Sequence, residues 1–185
     1  MVSVRSTLER EARTMLPNPL HPAVVHFPIV LMFLLPIITG AALWRLHDGA
    51  RRRSWGLVVL TAAAVTGSGW FATRTGNTQE EFVEDVVAEQ PIHDHEEAGD
   101  TFVLVSWIVL GIAVVGAFPG LAGRAGRALT LAGALALVYF GWRTGDLGGK
   151  LAYQHGAAAA YVTDSATVTA RPAGERRENH DDDAH

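Results

Sequence analysis

Four stretches of this chain hold almost no charge, and the polar residues gather between them. Val24 to Leu43 runs for twenty residues with His26 as its sole ionisable group, and Trp55 to Thr73, Thr101 to Leu121 and Ala128 to Trp142 carry no charge. A helix needs about 20 apolar residues to cross the hydrocarbon of a bilayer, and ~17 suffice. None of the runs shows a polar stripe at helical period, as a soluble amphipathic helix would. Lipid offers no partners to free backbone groups, so the segments must be helices. The pattern predicts an all-α protein: a four-helix transmembrane bundle with spans at about 22–46, 55–74, 101–121 and 127–145. Between the second and third spans, Phe82, Val83, Val86 and Val87 fall on one face and acids on the other. Residues 78–90 therefore read as a short amphipathic periplasmic helix. Residues 1–20 form an N-terminal tail, 21–162 the membrane domain, and 163–185 a polar tail expected to be disordered.

Charge orients the spans. The link from the first span to the second carries Arg45, Arg51, Arg52 and Arg53 against Asp48, and the link from the third to the fourth carries Arg124 and Arg127. The segment between the hairpins holds nine acids from Glu80 to Asp100. Short loops rich in arginine stay in the cytoplasm. The expectation is a multi-pass protein of the bacterial inner membrane with both termini on the periplasmic side. His21, His26, His93, His95, His155, Arg74 and Arg143 then all lie at the outer end. Nothing in the chain reads as a basic footprint for nucleic acid.

The chain also resembles itself at an offset of 69 residues. Pro22 and His26 are answered by Pro91 and His95, and Arg74-Thr75-Gly76 by Arg143-Thr144-Gly145. Two pseudo-repeated helical hairpins would set His26 opposite His95 at similar depth, with Pro22 and Pro91 each opening a helix. Imidazole is an axial haem ligand, and arginine pairs with carboxylates. One reading is therefore a b-type haem held by His26 and His95. Arg74 and Arg143 would meet its propionates, and Trp70, Phe71, Tyr139, Phe140 and Trp142 would wall its ring. The chain has no cysteine, so attachment would be non-covalent. The other reading is a His/carboxylate transition-metal site of His26, His95, Glu80, Glu84 and Glu96. Glu80 and Glu84 are one helical turn apart and would share a cation.

The segment Asn18-Pro19-Leu20-His21-Pro22-Ala23-Val24-Val25-His26-Phe27-Pro28-Ile29 resembles the opening of an uncharacterised family of four-span bacterial membrane proteins, catalogued as a domain of unknown function. Thr75-Gly76 with Glu80-Glu81 and Glu84, His95-Glu96-Glu97-Ala98-Gly99, and Gly148-Gly149-Lys150 through His155-Gly156 are similar to recurring forms of that family. The resemblance implies the membrane class and topology and assigns no activity; relatives look similar to haem-binding or redox-associated membrane proteins. The expected function is an outward-facing His/Arg/Glu site for haem or a metal ion, serving electron transfer with a redox partner. The competing expectation is a non-catalytic accessory subunit, packed through its span faces against a larger membrane complex. No residue pattern identifies an enzymatic reaction.

Overall fold

A computed structural model of the chain describes residues 21–45, 51–77 and 87–157. All regular structure among them is helical. A one-turn helix α1 (His21–Val24) leads into α2 (His26–Arg45), followed by α3 (Arg51–Asn77), α4 (Glu89–Gly116) and α5 (Gly120–Tyr153). Helices α2 to α5 are each long and apolar enough to cross a membrane. Their principal contacts run α2 to α3, α3 to α4, α4 to α5 and α5 back to α2, so the four close into a ring. The core inside that ring is built from Met32, Leu35, Val58, Val65, Phe102, Val109 and Leu137 among others.

The bundle is apolar outside and partly polar inside, the reverse of a soluble one. Phe27, Ile37, Leu60, Leu104, Trp107, Leu121 and Leu135 are exposed, whereas Thr39, Thr66, Ser106 and Thr130 are almost fully buried. Each buried hydroxyl donates to a carbonyl one turn back on its own helix: Thr39 to Leu35 (2.7 Å), Thr66 to Ala62 (3.0 Å), Ser106 to Val103 (2.7 Å) and Thr130 to Gly126 (2.7 Å). A short side chain bonded in this way presents no unpaired polar atom and lets two helices approach closely.

The buried positions recur along the chain. Pro28, Met32, Leu35, Thr39 and Ala42 face inward on α2; Phe102, Ser106, Val109, Ala113 and Gly116, each 74 residues further on, face inward on α4. Trp55, Val58, Ala62, Val65 and Gly69 of α3 are matched 72 residues later by Arg127, Thr130, Ala134, Leu137 and Gly141 of α5. Neither spacing is the 69 that sequence identity suggests.

Several expectations shift at the helix ends. α4 starts at Glu89, with Ala88 as its extended cap, so Pro91 is its third residue and not its first. Pro22 is the second residue of α1, and a turn at Val25 separates α1 from the span. The expected surface helix at 78–90 lies outside the described residues as far as residue 86; Val87 and Ala88 are not helical, and Glu89 and Gln90 open α4. The 1–20 tail, residues 46–50 of the first link and the 163–185 tail also lie outside the described residues.

Candidate functional site: a histidine pair at one end of the bundle

Where α1 and α4 begin and α3 and α5 end, two imidazoles meet edge to face. They belong to His21 and His95, with ring centres 6.3 Å apart and planes 84° apart. His21 reaches the site because α1 leans on α3, where its Nδ1 lies 2.9 Å from the Ala72 carbonyl and 3.3 Å from Thr75 Oγ1. His95 lies in α4, two turns in, and its Nδ1 is 3.2 Å from the Thr144 carbonyl of α5. A carbonyl oxygen only accepts, so both Nδ1 atoms carry the proton. Both Nε2 atoms are then left as lone-pair acceptors. Neither Nε2 takes a hydrogen bond among the described residues.

The two rings are supported in parallel ways. Thr144 Oγ1 lies 3.0 Å from the carbonyls of both Ala98, on α4, and Phe140, on its own helix, and so ties α5 to the turn that follows His95. Thr75 Oγ1 donates to Ala72 O at 2.8 Å, the same carbonyl that His21 uses. Both histidines are half-buried. Burial lowers the pKa of His21 from the usual histidine value, and the bond to Ala72 offsets part of that shift. The result is a neutral ring with a donor spent and an acceptor available.

His26, expected opposite His95, is exposed on α2. It stands five residues after His21, and five residues turn a helix by about 140° at 3.6 residues per turn, so the two side chains point to different sides. Arg74 is exposed and stacks over Trp70 at 5.0 Å. Arg143, also exposed, borders a cavity of about 190 Å³ together with Asp94, Glu97, Ala98, Thr101 and Leu147. Glu96 is half-buried beside His95; Glu80 and Glu84 lie outside the described residues. Of the aromatic residues expected to line a ring, Trp70, Phe71, Tyr139 and Trp142 are about half exposed or more and face away from the bundle. Phe140 packs against the core and edge-on to Tyr139 at 5.4 Å. Among the described residues no three His, Cys, Asp or Glu side chains converge on one point.

The ring that lies against His95 is that of His21, not that of His26, with which the sequence pairs it. The missing signal was the inward frame: His21 and His95 are 74 residues apart, as are the buried positions of α2 and α4.

The chain matches the model of a family described as "Predicted membrane protein (DUF2231)" over residues 17–161, and it belongs to that family. No curated protein and no solved structure matches it.

Proposed function

We propose that this membrane protein carries electrons through a single metal centre held between His21 and His95, and that the centre is a b-type haem. The observation that carries the reading is the pair itself: two imidazoles 6.3 Å apart, each with Nδ1 committed to a backbone carbonyl and Nε2 uncommitted. A hydrogen bond from the far ring nitrogen fixes the tautomer and orientation of a ligating histidine. Metal–nitrogen bonds of about 2 Å on either side of one ion, plus roughly 1.2 Å from each nitrogen to its ring centre, sum to ~6 Å. Two protein ligands complete a haem iron, whose four remaining positions come from the porphyrin; a bare zinc or copper(II) ion wants a third protein ligand. Held by His21 and His95, such a haem would supply one-electron exchange.

In this reading the two hairpins are equivalent halves, and each contributes one histidine and the carbonyl that orients it. Arg74 and Arg143, next in sequence to Thr75 and Thr144, would pair with the propionates. The arginine-rich links would lie in the cytoplasm and the histidine end outside, in the bacterial inner membrane, open to a redox partner.

The test is the protein purified from haem-replete membranes. The expected result is a Soret band and a sharp reduced α-band, with about one haem per chain, lost in both His21→Ala and His95→Ala while the helical circular dichroism persists. A wild-type protein with neither haem nor a stoichiometric transition metal overturns the reading, and an accessory subunit packed through its apolar faces becomes the better one. Either histidine variant retaining the full complement does the same for the pair.

A further inference from the structure

We infer that Gly76 and Gly148 are the positioning residues of the histidine pair: each leaves open the space through which an imidazole reaches the carbonyl that orients it. The inference deepens the proposed function, and it rests on the pair being the ligand site. In an α-helix the carbonyl of residue i points toward the C-terminus and accepts from the N–H of residue i+4. Side chains lean back toward the N-terminus, so the side chain of residue i+4 stands over that carbonyl. The two carbonyls in question belong to Ala72 and Thr144. Their i+4 residues are Gly76 and Gly148.

A Cβ at Gly76 would lie 3.1 Å from His21 Cε1 and 3.3 Å from its Nδ1; one at Gly148 would lie 2.9 Å from His95 Cε1 and 3.4 Å from its Nδ1. The backbone does not ask for glycine at either place, since positive φ occurs at Gly120 and Gly156 instead. Glycine also weakens a helix relative to alanine. Space for the ring is the remaining reason, and it applies twice, in α3 and 72 residues later in α5. The neighbouring glycines are different: a Cβ at Gly145 or Gly149 meets nothing within 4 Å. Each ring therefore lies in a slot cut by one missing methyl group, and that slot lets Nδ1 reach the carbonyl and frees Nε2. A methyl in the slot would press on the Cε1–Nδ1 edge of the ring, at 2.9–3.4 Å, more closely than on Nε2, at 3.6–3.8 Å, and so lift the ring off its carbonyl.

The experiment compares Gly76→Ala and Gly148→Ala with Gly145→Ala and Gly149→Ala in the full chain. Alanine favours the helix, and circular dichroism checks that each variant is folded. The first readout needs no metal: side-chain ¹⁵N NMR of the histidines reports which ring nitrogen bears the proton. The second is the affinity for added haem. Gly148→Ala should lose the fixed Nδ1–H form of His95, and Gly76→Ala that of His21, with the larger change at Gly148, where the approach is closer. Haem affinity should fall about 10- to 100-fold in both, the usual effect of losing a ligand's orienting bond. The two control variants should match wild type. If Gly76→Ala and Gly148→Ala keep the wild-type tautomers, the inference is wrong, whatever the protein binds. If the tautomers change as expected but wild type binds no metal centre, the slots stand and the haem reading falls.

Discussion

The two ends of this bundle bury polar side chains against helix carbonyls in different ways. At one end Trp55 is 2% exposed and Arg127 4%. The indole Nε1 donates to Ala113 O at 2.8 Å, Arg127 Nη1 donates to Gly116 O at 2.8 Å, and the guanidinium lies 6.0 Å from the Trp55 ring. These groups serve the last carbonyls of α4, where a positive charge also suits the helix dipole. At the other end His21 and His95 donate to carbonyls as well, but they are only half-buried. Indole and guanidinium have donors alone, so neither offers a lone pair to a metal ion. Imidazole has one donor and one acceptor, so the same bond leaves a lone pair. The first end holds helices together and offers no lone pair; the second holds them and keeps one.

Three substitutions other than those of the two histidines and their glycines test that contrast. Trp55→Ala should have the largest effect on stability. It removes a buried ring whose edge fills the notch left by Gly116, where a Cβ would come within 2.6 Å of it. Large-to-small changes of this kind cost about 3–5 kcal/mol, read by unfolding in mixed detergent. Haem bound per folded chain should stay at the wild-type level. A protein that unfolds no more easily after this change would mean that the Trp55 end is no structural clamp. Thr144→Val should cost less, about 0.6 to 1 kcal/mol for one hydroxyl bond inside a membrane bundle. Its signature is a modest loosening of His95, seen as faster haem dissociation, because the bridge to Ala98 goes while the Thr144 carbonyl remains. Unchanged dissociation would show that the carbonyl alone orients the ring. His26→Ala should do least: an exposed side chain away from the pair shifts stability by no more than about 0.5 kcal/mol. Haem content should be unaltered, and any loss there would restore His26 to the site.

The four spans were legible because lipid enforces long uncharged runs: α3 and α5 contain the second and fourth, while the first begins in α1 and the third runs past Gly116 into the start of α5. The frame of the helices was harder to see. An offset of 69 lines up Phe71 with Phe140 and Leu60 with Leu129, and all four lie partly or fully on the outside. In a membrane, large apolar residues cover the lipid face, so their coincidence says little about which side is buried. The inward face is marked by small and hydroxyl residues: Thr39, Ala42, Ala62, Thr66, Ser106, Ala113, Thr130 and Ala134. Aligning the buried positions of each helix, whatever their residue type, gives the 74- and 72-residue spacings, and the 74-residue frame pairs His21, not His26, with His95. The slots at Gly76 and Gly148 could not be read in advance, since their meaning depends on which carbonyl each imidazole meets.

The length of α5 bears on how far an electron would have to travel. Its 34 residues span about 51 Å at 1.5 Å per residue, against a hydrocarbon layer ~30 Å thick. Some of the excess can be taken up by tilt; the remainder must stand in the headgroups and water. Glu89, Asp94, Glu97 and Asp100 on α4 and Arg143, Asp146 and Lys150 on α5 are exposed, and all belong to the histidine end. Arg124 is the one exposed charge at the opposite end of α5, so most of the polar length stands at the histidine end, where it would lift His21 and His95 toward the aqueous boundary. In the proposed function a soluble donor or acceptor would reach the pair across little more than side chains, and the apolar half of the bundle beneath it would act as the insulator.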